Sequence, residues 1–309
     1  MKIYTLNVGQ GQFVVVVSNS EAIIVDTSVP LYPKHPIIHV KSALADILKG
    51  KNMVGLMITG FDDDHFNEVG VKIALNKYRP DWIMYPKYFK DSKEANAGFA
   101  AIKEAEKGNE FKKYSISLSD NNKRLYTDLS KDFSFEIFSP HKEDMDSSNN
   151  CSLVCKIKEK SSGATYLVTG DTENNRWNSI TKIFGASIKS DVLDAPHHGS
   201  KNGITSDAIN LIKPDTVLIS AGVENSYGHP DSEAVKIFNS VTKKVYSTNG
   251  SKEGKSILTE ISKTGAGLVV ESTVYVPSES EAATVGLAAA VAAARGTNTP
   301  PSAKVGFGD

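Results

Sequence analysis

Asp62, Asp63, Asp64 and His65 place three carboxylates and an imidazole in four consecutive positions. Crowded carboxylates repel one another unless water or a cation neutralises them. Carboxylate and imidazole are ordinary donors to a first-row divalent metal. The competing reading is a solvated acidic loop, and three further clusters weigh against it. Thr169-Gly170-Asp171 follows the apolar run Tyr166-Leu167-Val168. There a glycine permits close backbone approach, and an aspartate at a strand end can project into a cleft. Ala195-Pro196-His197-His198-Gly199-Ser200 sets two histidines side by side at a strand end. Adjacent side chains cannot both point the same way, so one can take a metal while the other supports it or touches substrate. Gly199-Ser200 adds N–H and hydroxyl donors. Asn225-Ser226-Tyr227-Gly228-His229-Pro230 reads either as a capped turn or as a substrate-facing imidazole beside amide and phenol donors. The other histidines, His35, His39 and His141, sit in contexts that read as structural or surface.

Short apolar strands must deliver these clusters. Residues 2–8, 13–17 and 22–25 are β-branched runs separated by Gly and Ser-Asn turns, which predicts a meander. Residues 36–49 carry apolar side chains at helical spacing and close on Gly50. The strand 53–58 ends where the acidic cluster begins. Helix near 67–78, strand 82–85, helix 92–107 and several short strands within 114–138 follow. After the polar loop Asp144 to Asn150 come strands 152–158 and 164–169. Helix 173–184, strand 190–194, helix 204–212, strand 215–220, helix 231–239 and strands 244–247, 256–262 and 267–271 complete the pattern. Antiparallel strands that give way, twice, to strand–helix alternation fit an α/β two-sheet sandwich flanked by helices better than one doubly wound sheet. This domain is expected over residues 1–276. Residues 277–309 are Ala-, Gly- and Pro-rich and are expected to form a flexible tail, or alternatively a docking segment for a protein partner.

The formal net charge is −1, so no global field draws the chain to nucleic acid or an anionic membrane. A nucleic-acid substrate would need a local basic patch. The two cysteines, Cys151 and Cys155, lack a second pair, which argues against a disulfide framework or a Cys-rich zinc site. If 151–155 is a strand, both thiols share one face. No basic-then-apolar leader and no run of about 18 apolar residues is visible. The expected location is cytoplasmic, with no membrane contact.

Seven segments, in order, carry a resemblance to the metallo-β-lactamase fold superfamily, and most closely to the hydrolase domain of ComEC-type DNA-uptake proteins. They are Asn7 to Gly11, Ile24 to Thr27, Thr59 to Gly70, Asn149 to Val154, Leu167 to Glu173, Pro196 to Ser200 and Tyr227 to Pro230. The resemblance implies an αββα sandwich and a metal motif His-x-His-x-Asp-His. Here that motif reads Gly60, Phe61, Asp62, Asp63, Asp64, His65. Asp at the second histidine position is common in the ComEC-like branch, but Gly60 leaves the first ligand out. Asp171 matches the bridging aspartate and His198 the late histidine. The implied metal set is therefore Asp62, Asp64, His65, Asp171 and His198. The implied cofactor is one or two divalent ions, Zn or Mn, with the second position weakened by Gly60. Asp64 and His229 are the implied catalytic groups, and His197, Ser200, Asn225 and Tyr227 the substrate contacts. The implied activity is metal-dependent hydrolysis of a phosphodiester or nucleic acid. Hydrolysis of a small ester, lactone or nucleotide stays open, as does a non-catalytic partner-binding module with a degenerate site.

Overall fold

A computed structural model describes residues 1–30, 35–88, 90–108, 110–119, 124–142, 147–264 and 267–278. The tail from residue 279 onward, with the docking role expected of it, lies outside the described residues.

The first sheet has eight strands. The chain enters it through β1 (Lys2–Thr5), β2 (Val14–Val17) and β3 (Glu21–Val25), the expected antiparallel meander. It then adds β4 (Asn52–Met57), β5 (Trp82–Pro86) and β6 (Lys112–Ile116), each parallel to its neighbour. The helices α1 (His35–Ile47), α2 (Glu68–Lys77) and α3 (Lys93–Glu106) make these crossovers. The second sheet runs β7 (Arg124–Tyr126), β8 (Phe133–Ser139), β9 (Val154–Glu159), β10 (Thr165–Val168), β11 (Val192–Asp194), β12 (Thr216–Ile219) and β13 (Lys244–Ser247). From β10 onward its strands are parallel, joined by α4 (Asn174–Phe184), α5 (Ser206–Ile212) and α6 (Ser232–Asn239). The hairpin β14 (Ser256–Thr264) and β15 (Gly267–Tyr275) returns to the first sheet beside β1.

The sheets pack face to face. Trp82 of β5 meets Phe135 of β8 edge-on with ring centroids 5.1 Å apart. The β2 run Val14–Val17 is buried at every position, because Val14 and Val16 face the other sheet while Val15 and Val17 face the helices α1 to α3. That explains why this strand lacks polar alternation: a sheet covered on both faces reads as a continuous apolar run. The architecture is the αββα sandwich of the metallo-β-lactamase type.

Cys155 lies in β9, but Cys151 sits in a tight turn over Asn149–Cys151, so the two do not share a strand face. Both are buried, neither is in a disulfide, and they behave as small apolar residues. Among the described residues, no helix is long and apolar enough to cross a membrane.

The two parallel runs point their carboxyl ends toward one rim of the sandwich. Asp26 follows β3, Asp62 to His65 follow β4, Asp171 follows β10, His198 follows β11 and the 222–230 loop follows β12. In open α/β sheets this is where ligands bind, because the crevice beyond the strand ends is lined by loops.

Candidate metal centre

His65 is fixed from both sides. Its Nδ1 lies 2.8 Å from Asp26 Oδ2 and its Nε2 2.8 Å from Asp171 Oδ1. Asp26 is fully buried and also accepts the Thr59 N–H at 2.7 Å and the Thr59 hydroxyl at 2.6 Å. Its backbone adopts φ +57°, a conformation costly for a non-glycine residue, which concentrates at functional sites. A carboxylate behind a histidine fixes which ring nitrogen carries the proton, and so frees the other as a ligand.

His198 is prepared in the same way. It occupies the tight turn Pro196–Gly199, where His197 and His198 both have positive φ, 51° and 54°. The His197 N–H donates to the Gly170 carbonyl at 2.9 Å, tying this turn to the end of β10. His198 Nδ1 donates to the Ser220 carbonyl at 2.8 Å. Its buried Nε2 makes no hydrogen bond. That atom points between Asp64 Oδ2 at 3.4 Å and Asp171 Oδ1 at 3.7 Å. The His65 and His198 ring centroids are 5.0 Å apart.

Asp171 is placed by its neighbours. Its N–H donates to Ser152 Oγ at 3.0 Å. Gly170, at φ +52°, allows the approach: a Cβ there would lie 2.9 Å from the Thr59 side chain and 3.0 Å from that of Ser152. The glycine is thus needed for close backbone approach, as the sequence suggested.

Asp64, His65, Asp171 and His198 each bring one donor atom within 4.8 Å of the other three. Two imidazole nitrogens and two carboxylates, one His198 nitrogen lacking any hydrogen-bond partner, suit a four-coordinate first-row divalent cation.

The electrostatics point the same way. Burial would lower the His65 pKa, but Asp171 and Asp26 more than offset it and raise it well above its ordinary value. Burial likewise opposes, and Asp64 and Asp171 then raise, the pKa of His198. Burial would raise Asp171, yet His65, His198 and His197 hold its carboxyl well below the usual range. Without metal, both imidazoles therefore hold their protons more tightly than an ordinary histidine. A metal needs their lone pairs, so binding must expel those protons. Metal affinity is expected to climb as pH rises through the raised histidine pKa values. Calorimetry in two buffers of different ionisation enthalpy should register proton release, and an affinity independent of pH would contradict the protonated cluster.

A recess of ≈ 500 Å³ opens above the cluster, lined by Asp62, Asp63, Asp64, Asp171, His197, His198, Tyr227 and His229 among others. Asp62, expected as a ligand, is ion-paired with Lys90 and stands outside the four-donor cluster. At Gly60 a Cβ would have only Tyr88 Oη near it, at 3.7 Å, so the absent side chain is not a steric requirement. His197 turns away from the donors toward Glu173, with Nδ1 3.5 Å from Oε1. His229 lines the recess, and burial, then His197 and His198, lower its pKa, leaving it neutral.

Asn225 does not reach out as a substrate donor. Its Nδ2 donates to the Gly222 and His229 carbonyls at 2.9 and 2.6 Å, and its Oδ1 accepts the His229 N–H at 2.9 Å. These bonds spend the amide on the loop itself. Ser200 is buried, with Oγ accepting from the Asn202 N–H at 3.4 Å, and is absent from the recess lining. His39 bonds Ser256 Oγ at 2.6 Å, and buried His141 pairs with Arg176; both are structural.

Sequence reasoning assigned no role to Asp26, Ser152 or Gln12. Gln12 Nε2 donates to Asp194 Oδ2 at 2.6 Å, and its backbone N–H donates to the Asp64 carbonyl at 2.8 Å. Burial pushes the Asp194 carboxyl up to about 7 against that Gln12 bond. Asp26 had a usable signal, since Ala22-Ile23-Ile24-Val25-Asp26 repeats the apolar-run-then-Asp pattern of residues 166–171.

No protein-family model matches the chain. By sequence it is 30% identical over 214 residues, 66% of its length, to ComE operon protein 3 of Bacillus subtilis (strain 168). It is 34% identical over 82 residues to Competence protein ComA of Neisseria gonorrhoeae. A third relative is Recombination protein 2 of Haemophilus influenzae, at 31% over 96 residues. The matches span 25%, 12% and 12% of those proteins, so the chain corresponds to a quarter or less of each. Solved structures with a similar course include Igni18, a metallo hydrolase from Ignicoccus hospitalis. Its TM-score is 0.48 at 15% identity, covering 84% of this chain and 99% of that one. CmlA, a diiron β-hydroxylase from Streptomyces venezuelae, has a TM-score of 0.48 at 13% identity, covering 79% and 52%. The chain thus joins a metallo-β-lactamase-type sandwich to a largely buried two-histidine, two-aspartate cluster suited to a divalent ion, the features of a metal-dependent hydrolase of that fold.

Proposed function

We propose that the chain is a metal-dependent phosphodiesterase that uses one tightly held divalent ion, Zn²⁺ or Mn²⁺. The observation that carries this reading is the convergence of His65 Nε2 and His198 Nε2 on Asp64 and Asp171, with each ring's Nδ1 fixed from behind. When bound, a divalent ion supplies Lewis acidity toward a phosphoryl oxygen and acidifies water. Asp64 stays ionised at neutral pH, because His198 and His65 outweigh its burial, and its side chain borders the recess. It orients the attacking water. His229, neutral beside the recess, hydrogen-bonds a phosphoryl oxygen. In the reaction, the water oxygen bonds to phosphorus and one P–O ester bond breaks. The departing alkoxide takes up a proton, and the products are a phosphomonoester and an alcohol.

A single tight position follows from Asp62 being held by Lys90 and from Gly60 offering no ligand. The choice of phosphodiester over carboxylic ester rests on relatives named for competence and recombination, since recombination acts on nucleic acid.

Metal analysis after dialysis is expected to find about one equivalent per chain. Hydrolysis of single- or double-stranded DNA or RNA is expected with Zn²⁺ or Mn²⁺ and absent with EDTA. Metal uptake without cleavage of any phosphodiester would turn the reading toward small esters or lactones. No uptake at all would reject an enzyme and leave a binding module. The domain limits of 1–276 and a partner-binding tail belong to the same proposal, and truncation after Val276 should leave metal uptake intact.

A further inference from the structure

Tyr227 is 68% exposed, and no other aromatic side chain among the described residues is comparably open. The exposure is built rather than incidental, because its loop is braced twice. The Asn225 and Asn249 amides both donate to the Gly222 and His229 carbonyls, Asn249 at 3.1 and 3.0 Å. The Tyr227 ring lies nearly parallel to His229, at 14° and 5.8 Å between centroids. His229 in turn meets His197 edge-on at 5.7 Å. Three rings thus lead outward from the metal cluster, and the last has its far face in solvent.

The charges around the recess define what this ring is for. Among the described residues its lining carries Asp62, Asp63, Asp64 and Asp171 and no lysine or arginine, and the chain's net charge is −1. Backbone electrostatics therefore contribute little affinity for a polyanion. Binding beyond the scissile phosphate has to come from an uncharged contact, and an exposed ring supplies one because every base has a π-face. A second recess of ≈ 790 Å³ adjoins the first through Gln10 and Pro30 and is walled by Val223 of the same loop, so the cleft has room for more than one nucleotide unit.

Building on the phosphodiesterase reading, we propose that Tyr227 is the stacking platform for an unpaired nucleobase flanking the scissile phosphate, so that the substrate class is single-stranded nucleic acid. A base inside a duplex has both faces occupied by its neighbours and cannot offer one to the ring.

The test uses the full chain with Mn²⁺ and three substrates: a single-stranded oligodeoxynucleotide, the same strand with an abasic site beside the cleaved bond, and its duplex. Tyr227→Ala is expected to raise KM for the base-bearing strand by about 5- to 100-fold more than for the abasic strand, and Tyr227→Phe to restore it. An independent readout is fluorescence of 2-aminopurine in the strand, which stacking on Tyr227 should quench in wild type and Tyr227→Phe but not in Tyr227→Ala. Equal KM ratios in wild type and Tyr227→Ala, or a wild-type preference for duplex, would overturn the assignment. Tyr227-dependent quenching with no cleavage of any phosphodiester would reject the phosphodiesterase reading yet keep the base platform. Absence of that quenching overturns the platform whatever the cleavage result.

Discussion

Asp171→Asn is expected to cost at least about 100-fold in metal affinity, beyond what loss of a merely supporting group does, with activity falling at least in parallel. Asp171 is the carboxylate common to both imidazoles, 2.8 Å from His65 Nε2 and 3.7 Å from His198 Nε2. Asparagine keeps the shape but removes the charge, and its amide nitrogen is no metal ligand. Isothermal titration with Zn²⁺ measures the loss, and excess metal should not restore turnover. The same variant alters how stability depends on pH in EDTA. The Asp171 carboxyl is held below its ordinary range in the folded protein, so its contribution is present above the unfolded value. It disappears as pH falls through the folded one. The His65 contribution has the opposite sign, being present below its unfolded pKa and lost as pH rises through the raised folded value. Asparagine weakens both, so the acid limb and the alkaline limb of the stability profile should each flatten. Unchanged metal affinity in a folded Asp171→Asn protein would remove this residue from the centre.

What the sequence revealed about the site follows from where each group stands relative to its own strand. Asp64 and His65 come soon after the apolar run 53–58, Asp171 just beyond 166–168 and His198 a few residues past 190–194. An apolar strand that ends in Asp or His is visible in one dimension. Groups whose role depends on a distant element were not. Lys90, which neutralises Asp62, comes from the segment after β5, 28 positions along the chain, and nothing local announces that pairing. Asn225 has the chemistry of a substrate donor, but two carbonyls and an N–H of its own loop use its amide. Residue type could not reveal that. Cys151 would share a strand face with Cys155 only if the strand began at 151, and the Ser147 and Ser148 carbonyls instead capture its N–H in a tight turn. The sandwich itself was more legible than the site. Strand-to-helix alternation survives loss of detail at element ends, while a hydrogen-bonded cluster depends on a few atoms from five separate loops.

Asp26 ends an apolar strand and so was legible by the same rule, and changing it should separate orientation from ligation. Asp26 Oδ2 accepts from His65 Nδ1 and from the Thr59 hydroxyl, while Oδ1 accepts the Thr59 N–H. In Asp26→Asn, the amide oxygen can keep the Thr59 N–H, but the NH₂ then faces His65 Nδ1. A donor opposite Nδ1 favours the tautomer protonated on Nε2, the nitrogen the metal needs. Metal affinity is therefore expected to fall by about 10- to 100-fold, the usual cost of losing an outer support. Unlike Asp171→Asn, this variant retains all four donors, so activity should return when metal is raised in proportion to the lost affinity. Nitrogen NMR of the His65 ring in the metal-free protein at alkaline pH, where the imidazole is neutral, reads the tautomer directly. A shift of the proton from Nδ1 to Nε2 is the expected signature. Wild-type affinity together with a wild-type tautomer would mean that Asp26 serves only to hold Thr59 and the end of β4. Reduced affinity that excess metal cannot rescue would instead mean that the buried substitution distorts the donor set itself.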